Sequence, residues 1–364
     1  MKNIIGKFVS SFIYIYSSSP NLNIFAHIYI YRHSYNLVLN KHGDLLYNGL
    51  QELIKKYLIP YITTLSNLPT NDSLLYELNR IYSEHIIIYD VIKDIMMYMD
   101  RSYVTQHRKH SVYNMSILTF RNELYYHINI RERVRTILLH NIEQERNGYV
   151  IDKNLIKDIL NMLSSFNIDG NNVYEEEFEK PFLSATHNYY LQESTEYILN
   201  NNVPEYINKA EQRLNEEIIR VRTYLLSTTE VKLRQVIESV YITHHHKQLI
   251  DSESSGIYIL YKDDRYNDIK KLYTLLSYVP FTLDYLRDSM SIYIKQKGSE
   301  FWVEQNINND SIILINNIIE LKNKFDNIIK ICFKEDKKCY KKLKDSFEEF
   351  INMGMRSYTS LYIY

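Results

Sequence analysis

LLYELNRIYSEHIIIYDVIKDIMMYMDRSY, residues 74 to 103, is the stretch whose periodicity decides the fold class. Leu78, Ile81, His85, Ile88, Ile92, Ile95, Met99 and Tyr103 recur three or four apart, the spacing that lines one face of an α-helix. One long amphipathic helix is predicted from Leu74 onward. Downstream, Ile207, Ala210, Leu214, Ile218, Val221 and Leu225 form a second stripe. Glu216 stands four residues before Arg220 on what reads as the solvated side. Ser227 and Glu230 have the S-x-x-E spacing of a capping box ahead of Leu233, Val236 and Val240, and Asp152 is placed to cap a helix carrying Ile156, Ile159, Leu160 and Leu163.

Turn signals at Pro69–Asp72, Asn147–Gly148, Asp169–Asn172, Asn200–Pro204, Ser252–Gly256 and Asn306–Asp310 divide the chain into pieces of one or two helices. Only 8 Gly and 6 Pro occur in 364 residues, so turns are scarce and the segments between them long. Residues 24 to 39 conflict with this pattern locally, because Ile28-Tyr-Ile-Tyr31 is a run of β-formers. A lone strand in a chain without hairpin signals has no partner, whereas Ile24, Ile28, Tyr31, Tyr35 and Val38 also fit a helical stripe, and helix is predicted. The fold class is all-α.

The charge balance, 43 basic against 44 acidic residues, argues against general nucleic-acid binding. No run of 18 apolar residues suggests a membrane span, and Lys7, Ser10 and Ser11 interrupt the signal-like start, so neither membrane insertion nor secretion is expected. Two cysteines, Cys332 and Cys339, cannot build a disulfide framework or a four-thiolate zinc site. The 35 tyrosines fit the drift of an A- and T-rich gene and are not themselves a functional signal.

Catalytic patterns are sparse. Gly43 and Gly49 have the wrong spacing for a phosphate loop. His244, His245 and His246 are adjacent, so their side chains diverge by about 100° on a helix and read as a solvated helix end rather than a metal site. Asp263 and Asp264 read as a turn, and Glu175, Glu176 and Glu177 as an acidic first helical turn. No Ser or Cys nucleophile has motif context. No enzyme activity, metal or cofactor is expected.

Several strings resemble one family: Tyr98-Met-Asp-Arg-Ser-Tyr-Val104, Glu143-Gln-Glu-Arg-Asn-Gly148, Val173-Tyr-Glu-Glu-Glu-Phe178 with Pro181-Phe-Leu183, Tyr206-Ile-Asn-Lys-Ala-Glu-Gln-Arg-Leu-Asn-Glu-Glu217, and Leu321-Lys-Asn-Lys-Phe325. They are similar to the cullin scaffold over about residues 28 to 362. Leu39-Asn-Lys-His-Gly43, Tyr98-Met-Asp-Arg101 and the Val-Tyr-Glu-Glu string are most like the cullin-3 class, which recruits BTB-domain adaptors. The resemblance implies an elongated helical solenoid arm of three five-helix repeats, at residues 24–110, 111–250 and 251–364 after an atypical segment 1–23. It further implies a scaffold subunit of a cullin-RING ubiquitin ligase in the cytoplasm or nucleus. Its adaptor-binding residues are Ile30, Tyr31, Tyr35 and Leu39 on one helix and Tyr98 and Arg101 on another.

The chain departs from the class at His27 and Ile28, where an aromatic and an acidic residue are usual, and residues 1–23 lack a counterpart of the family's first long helix. Because the family continues past the position of Tyr364 into its RING-binding half, no RING partner is expected for this chain. The last helix, from about Asp345 to Met353, is expected to expose Phe347, Phe350 and Ile351 and to promote association through that end. Alternatives to the ligase scaffold are an adaptor-sequestering regulator and a metal-dependent enzyme built on His244–His246.

Overall fold

A computed structural model describes residues 24–69, 71–308 and 311–361; segment 1–23 and part of the Asn306–Asp310 turn lie outside them. Among the described residues every regular element is helical. The order is α1 (Ile24–Leu39), α2 (Gly43–Ser66), α3 (Asn71–Ile95), α4 (Val112–Thr119), α5 (Ile128–Arg146), α6 (Lys153–Ser165), α7 (Lys180–Asn200), α8 (Val203–Tyr224) and α9 (Thr229–Glu238). There follow α10 (His246–Asp251), α11 (Ile257–Lys262), α12 (Tyr266–Ser277), α13 (Thr282–Asn308), α14 (Ser311–Ile331) and α15 (Lys337–Leu361). Among the described residues four π-helical segments interrupt the α-pattern, at Asp100–Val104, Phe120–Tyr125, Glu175–Glu179 and Ser239–Thr243.

The chain forms two compact units, one of residues up to Phe182 with Arg222–Leu226, the other of Leu183–Val221 with Ser227 onward. In the first unit, Leu74, Leu78, Ile81, His85, Ile88, Ile92 and Ile95 are all buried on α3, as their spacing predicts. The predicted single helix is broken, however, at Met96 (φ −91°, ψ 12°), and the chain continues through the Met97–Met99 turn into the Asp100–Val104 π segment and a last turn, Thr105–His107. His85, Tyr89, Tyr82, Phe120, Phe166 and Tyr125 form a ring cluster with centroid separations of 4.3 to 6.2 Å. Each large side chain buried there stabilises the unit by about 1.5–3 kcal/mol. Asp152 caps α6 as expected, its Oδ1 accepting from the Leu155 N–H at 3.0 Å. The Ser227 and Glu230 capping box does not form: α9 starts after Thr228 without a side-chain cap, and Ser227 contributes only its carbonyl to the Glu230 N–H.

In the second unit Tyr190, Tyr206 and Tyr241 are fully buried, and the Tyr241 ring contacts both of the others. Their neighbours include acids: Tyr190 donates to Glu217 and Tyr241 to Glu193, and Arg213 binds Glu193 through Nε (3.0 Å) and Nη2 (2.5 Å). Arg220, expected on the solvated side, is instead 5% exposed and bonded to Glu217, which is 1% exposed. Apolar spacing cannot show that an Arg has followed a buried carboxylate inward. At the C-terminal end Phe347 and Phe350 are buried, contrary to expectation, because α15 packs along α13 and Gly298 removes the Cβ that would lie 2.5 Å from the Phe350 ring. Cys332 and Cys339 are free and buried. Among the described residues no helix is long and apolar enough to cross a membrane.

Candidate functional site

The helix at residues 24–39 forms as predicted, but the stripe that identifies it is turned outward. Ile28 and Tyr31 are exposed and Tyr35 and Val38 half-buried, while Ile30 and Ser34 face the core. Two neighbours fix this rotation. Ile30 is 6% exposed, and the buried Ser34 hydroxyl donates to the Tyr31 carbonyl at 2.8 Å and lies 3.4 Å from the Ile95 carbonyl across the fold. With about 100° between successive residues, Tyr31, Tyr35 and Leu39 then share the outer face.

The helix break at Met96 supplies the other half of the face. The Met97–Met99 turn packs against α1 and brings the Tyr98 ring to a centroid distance of 4.4 Å from Tyr35, and Tyr35 in turn lies 6.4 Å from Tyr31. Tyr31 is 37% and Leu39 56% exposed, and Arg101, on the π segment, is exposed as well. Ser102 secures this turn through its hydroxyl, which donates to the Tyr98 carbonyl at 2.5 Å. The structure therefore brings Tyr31, Tyr35 and Tyr98 together, and places Leu39 and Arg101 on the same two elements. Ile30 is on the opposite side of α1, where it anchors the helix.

Three residues join the face that sequence reasoning missed. Ile28, about one helical turn before Tyr31, and Met97, next to Tyr98 in the chain, are exposed apolar side chains. Ile28 belongs to the helical stripe read over Ile24, Ile28, Tyr31, Tyr35 and Val38, and the run Ile28, Tyr31, Tyr35, Leu39 was the available signal. Tyr103 is the third: it packs against Gly43, where a Cβ would come within 2.6 Å of its ring, and lies 6.2 Å from Tyr47. The Tyr47 hydroxyl donates to the His110 carbonyl at 3.0 Å, and burial pushes its pKa up to about 12. Burial also raises the Asp100 carboxyl, whose Oδ1 accepts from the Val112 N–H at 2.9 Å.

This face carries aromatic, apolar and guanidinium groups without a converging nucleophile or acid–base pair, a composition suited to gripping a protein surface. The other sequence candidates stay apart from it. His245 is not a solvated helix end but buried, its Nε2 3.1 Å from the Ser194 hydroxyl, and burial lowers its pKa to about 4. His246 contacts the Thr243 carbonyl instead. Among the described residues no group of three or more His, Cys, Asp or Glu could hold a metal ion. Glu176 pairs with Lys180 and Glu177 approaches Arg131 at 3.8 Å, so the acidic run points in different directions.

Comparison with known proteins agrees with the geometry. The cullin family, described as the cullin alpha solenoid domain, matches residues 14–363. Cullin-3 of Dictyostelium discoideum is 38% identical over 336 residues, covering 92% of this chain and 44% of the relative. Cullin-3A of Arabidopsis thaliana is 34% identical, covering 92% and 45%, and Cullin-3 of Caenorhabditis elegans 27% identical, covering 92% and 44%. The chain thus spans less than half the length of these relatives.

Proposed function

The chain belongs to the cullin family and is similar to cullin-3 proteins, and from that premise we propose that it is the adaptor-docking arm of a ubiquitin-ligase scaffold. It grips a BTB-domain substrate adaptor through Tyr31, Tyr35, Leu39, Tyr98 and Arg101, takes no part in bond chemistry, and is organised as repeats at residues 24–110, 111–250 and 251–364. The observation that carries this is the outward Tyr31–Tyr35–Tyr98 cluster, built from two elements that are both held to the core behind them. Rigid aromatic anchors with little ordering entropy left to lose are what a small hot spot requires. Ile30 acts from behind, by fixing the rotation of α1.

The test is calorimetric titration of the purified chain with purified BTB domains. Saturable binding that Tyr35→Ala and Tyr98→Ala weaken, and that Lys157→Ala on the exposed side of α6 leaves unchanged, supports adaptor docking. Binding indifferent to both tyrosine variants would move the docking face elsewhere on the molecule.

A further inference from the structure

We propose that the docking face extends past the tyrosines into a cationic strip, Arg32, Lys41, Arg101 and Arg108, that receives an acidic segment of the adaptor; this rests on the adaptor reading above. The chain as a whole is balanced, with a net charge of −1. The two segments that build the face are not. Residues 24 to 43 contain Arg32 and Lys41, residues 101 to 110 contain Arg101, Arg108 and Lys109, and neither segment contains an Asp or Glu.

The fold lays these segments side by side in the same direction. Tyr35 meets Tyr98 near one end, and Gly43 meets Tyr103 further along. Lys109 closes the far end, its Nζ 4.8 Å from the Tyr47 ring centre and 5.0 Å from that of Tyr103. Arg32 follows Tyr31 by one residue and, at about 100° per residue, lies about 20° beyond Leu39 at the edge of the outward face of α1. Arg32, Lys41, Arg101 and Arg108 are all exposed, and none forms an ion pair or hydrogen bond through its side chain with the described residues. Elsewhere in this unit exposed cations commonly have carboxylate partners, as Arg80 does with Glu77 and Glu84, Lys55 with Glu52, and Lys93 with Asp90. The nearest acids in sequence do not neutralise the strip. Asp100 is turned inward to the Val112 N–H, and Asp44 is a single charge in the first turn of α2.

Unpaired charges of one sign beside an aromatic anchor cluster divide the labour of docking. The aromatic cluster sets how long the complex lasts, and the cationic strip sets how fast the correct partner arrives and which partners are refused. Five basic residues with interleaved aromatics could also attract nucleic acid. The balanced charge of the whole chain and the adjacency to the tyrosine cluster favour an acidic protein segment.

The experiment is stopped-flow association of the intact chain with a purified BTB domain at 50 and 500 mM NaCl, with octaglutamate peptide as competitor. Parent, Arg32→Glu/Arg108→Glu, Lys41→Glu and Tyr35→Ala chains are compared after circular dichroism has matched their helicity. The expected result is an association rate that falls about tenfold or more with salt or with octaglutamate, and by a similar factor in each charge-reversed chain at 50 mM NaCl. Tyr35→Ala should act on the dissociation rate. Adaptor binding with an association rate insensitive to salt and to both charge-reversed chains overturns the strip while leaving tyrosine docking intact. Absence of binding to every BTB domain tried overturns both. Capture of a 20-base-pair DNA duplex that is lost in the charge-reversed chains, with adaptor association unchanged, assigns the strip to nucleic acid instead.

Discussion

The Tyr35 and Tyr98 rings, 63 residues apart in the chain, meet at a centroid distance of 4.4 Å with their planes inclined at 49°. The pair joins α1 to the turn after α3 and leaves both rings half-exposed. Such a contact is both structural and available to a partner, and the two roles are separable by experiment.

We predict that Tyr35→Ala and Tyr98→Ala each weaken adaptor binding by about 1–3 kcal/mol, as loss of a central aromatic anchor does. The double variant should lose less than the sum, with a coupling of about 0.5–1.5 kcal/mol from the ring pair. Titration calorimetry on the four chains measures this, and strict additivity would mean that the two rings act on the partner independently.

Gly43→Ala should disturb the face from behind. The new methyl would stand 2.6 Å from the Tyr103 ring, which must move, at a cost of about 1–3 kcal/mol typical of overpacking. A lower thermal midpoint with weakened adaptor binding is expected. An unchanged midpoint would show that Tyr103 can swing away freely.

Arg220→Ala should be among the most damaging single changes. It strips the Arg partner from Glu217, a carboxylate that is 1% exposed and is otherwise held by the Tyr190 hydroxyl. Removing one partner of a buried ion pair costs about 3–5 kcal/mol. Urea denaturation that found Arg220→Ala as stable as the parent would refute the buried pairing.

Acid should destabilise the first unit through His85. The ring is fully buried between Tyr89 and Phe120, its Nε2 donates to the Ser116 carbonyl at 3.3 Å, and Nδ1 has no hydrogen-bond partner among the described residues. Burial lowers its pKa from 6.5 to about 3. Because the folded value lies below the unfolded one, the unfolded chain binds the extra proton between them. Stability contributed by keeping His85 neutral is therefore present above about pH 6.5 and declines toward pH 3, by up to about 1.4 kcal/mol per pH unit. His85→Phe should flatten the stability profile over that window in denaturation measured from pH 3 to 7. An unaltered slope would show that other groups carry the acid sensitivity.

Much of this was legible in the sequence because it depends on period and on local chemistry. Helical spacing through residues 74–95, the helix at 24–39 despite its β-formers, and the Asp152 cap are of that kind. What escaped depends on what each residue meets across the fold. Period alone placed Ile28 and Tyr31 on a stripe without saying whether it faced in or out, and the burial of Ile30 and Ser34, the latter beside the Ile95 carbonyl 61 residues away, decides it. Arg220 reads as solvated from its spacing to Glu216, yet its partner is the buried Glu217. Phe347 and Phe350 read as exposed at a chain end, yet both are buried, and α13 makes room for the Phe350 ring at Gly298. The family resemblance is what singled out Tyr31, Tyr35 and Tyr98 for the proposed docking role. No rule of spacing would have paired Tyr35 with Tyr98.

The four π-helical segments carry a consequence for how such chains change over time. Bonds from the Tyr126 N–H to the Arg121 carbonyl (2.8 Å) and from the His244 N–H to the Ser239 carbonyl (3.0 Å) span five residues, so each segment stores one residue more than an α turn needs. Deleting a residue there closes the turn into ordinary α-helix and restores register, while deleting one mid-helix elsewhere rotates everything beyond it by about 100°. Single-residue gaps between distant homologues should therefore cluster at Asp100–Val104, Phe120–Tyr125, Glu175–Glu179 and Ser239–Thr243. The first of these adjoins Tyr98, so a lineage could gain or lose a residue beside its docking face and re-aim Arg101 without touching the helices that carry the core.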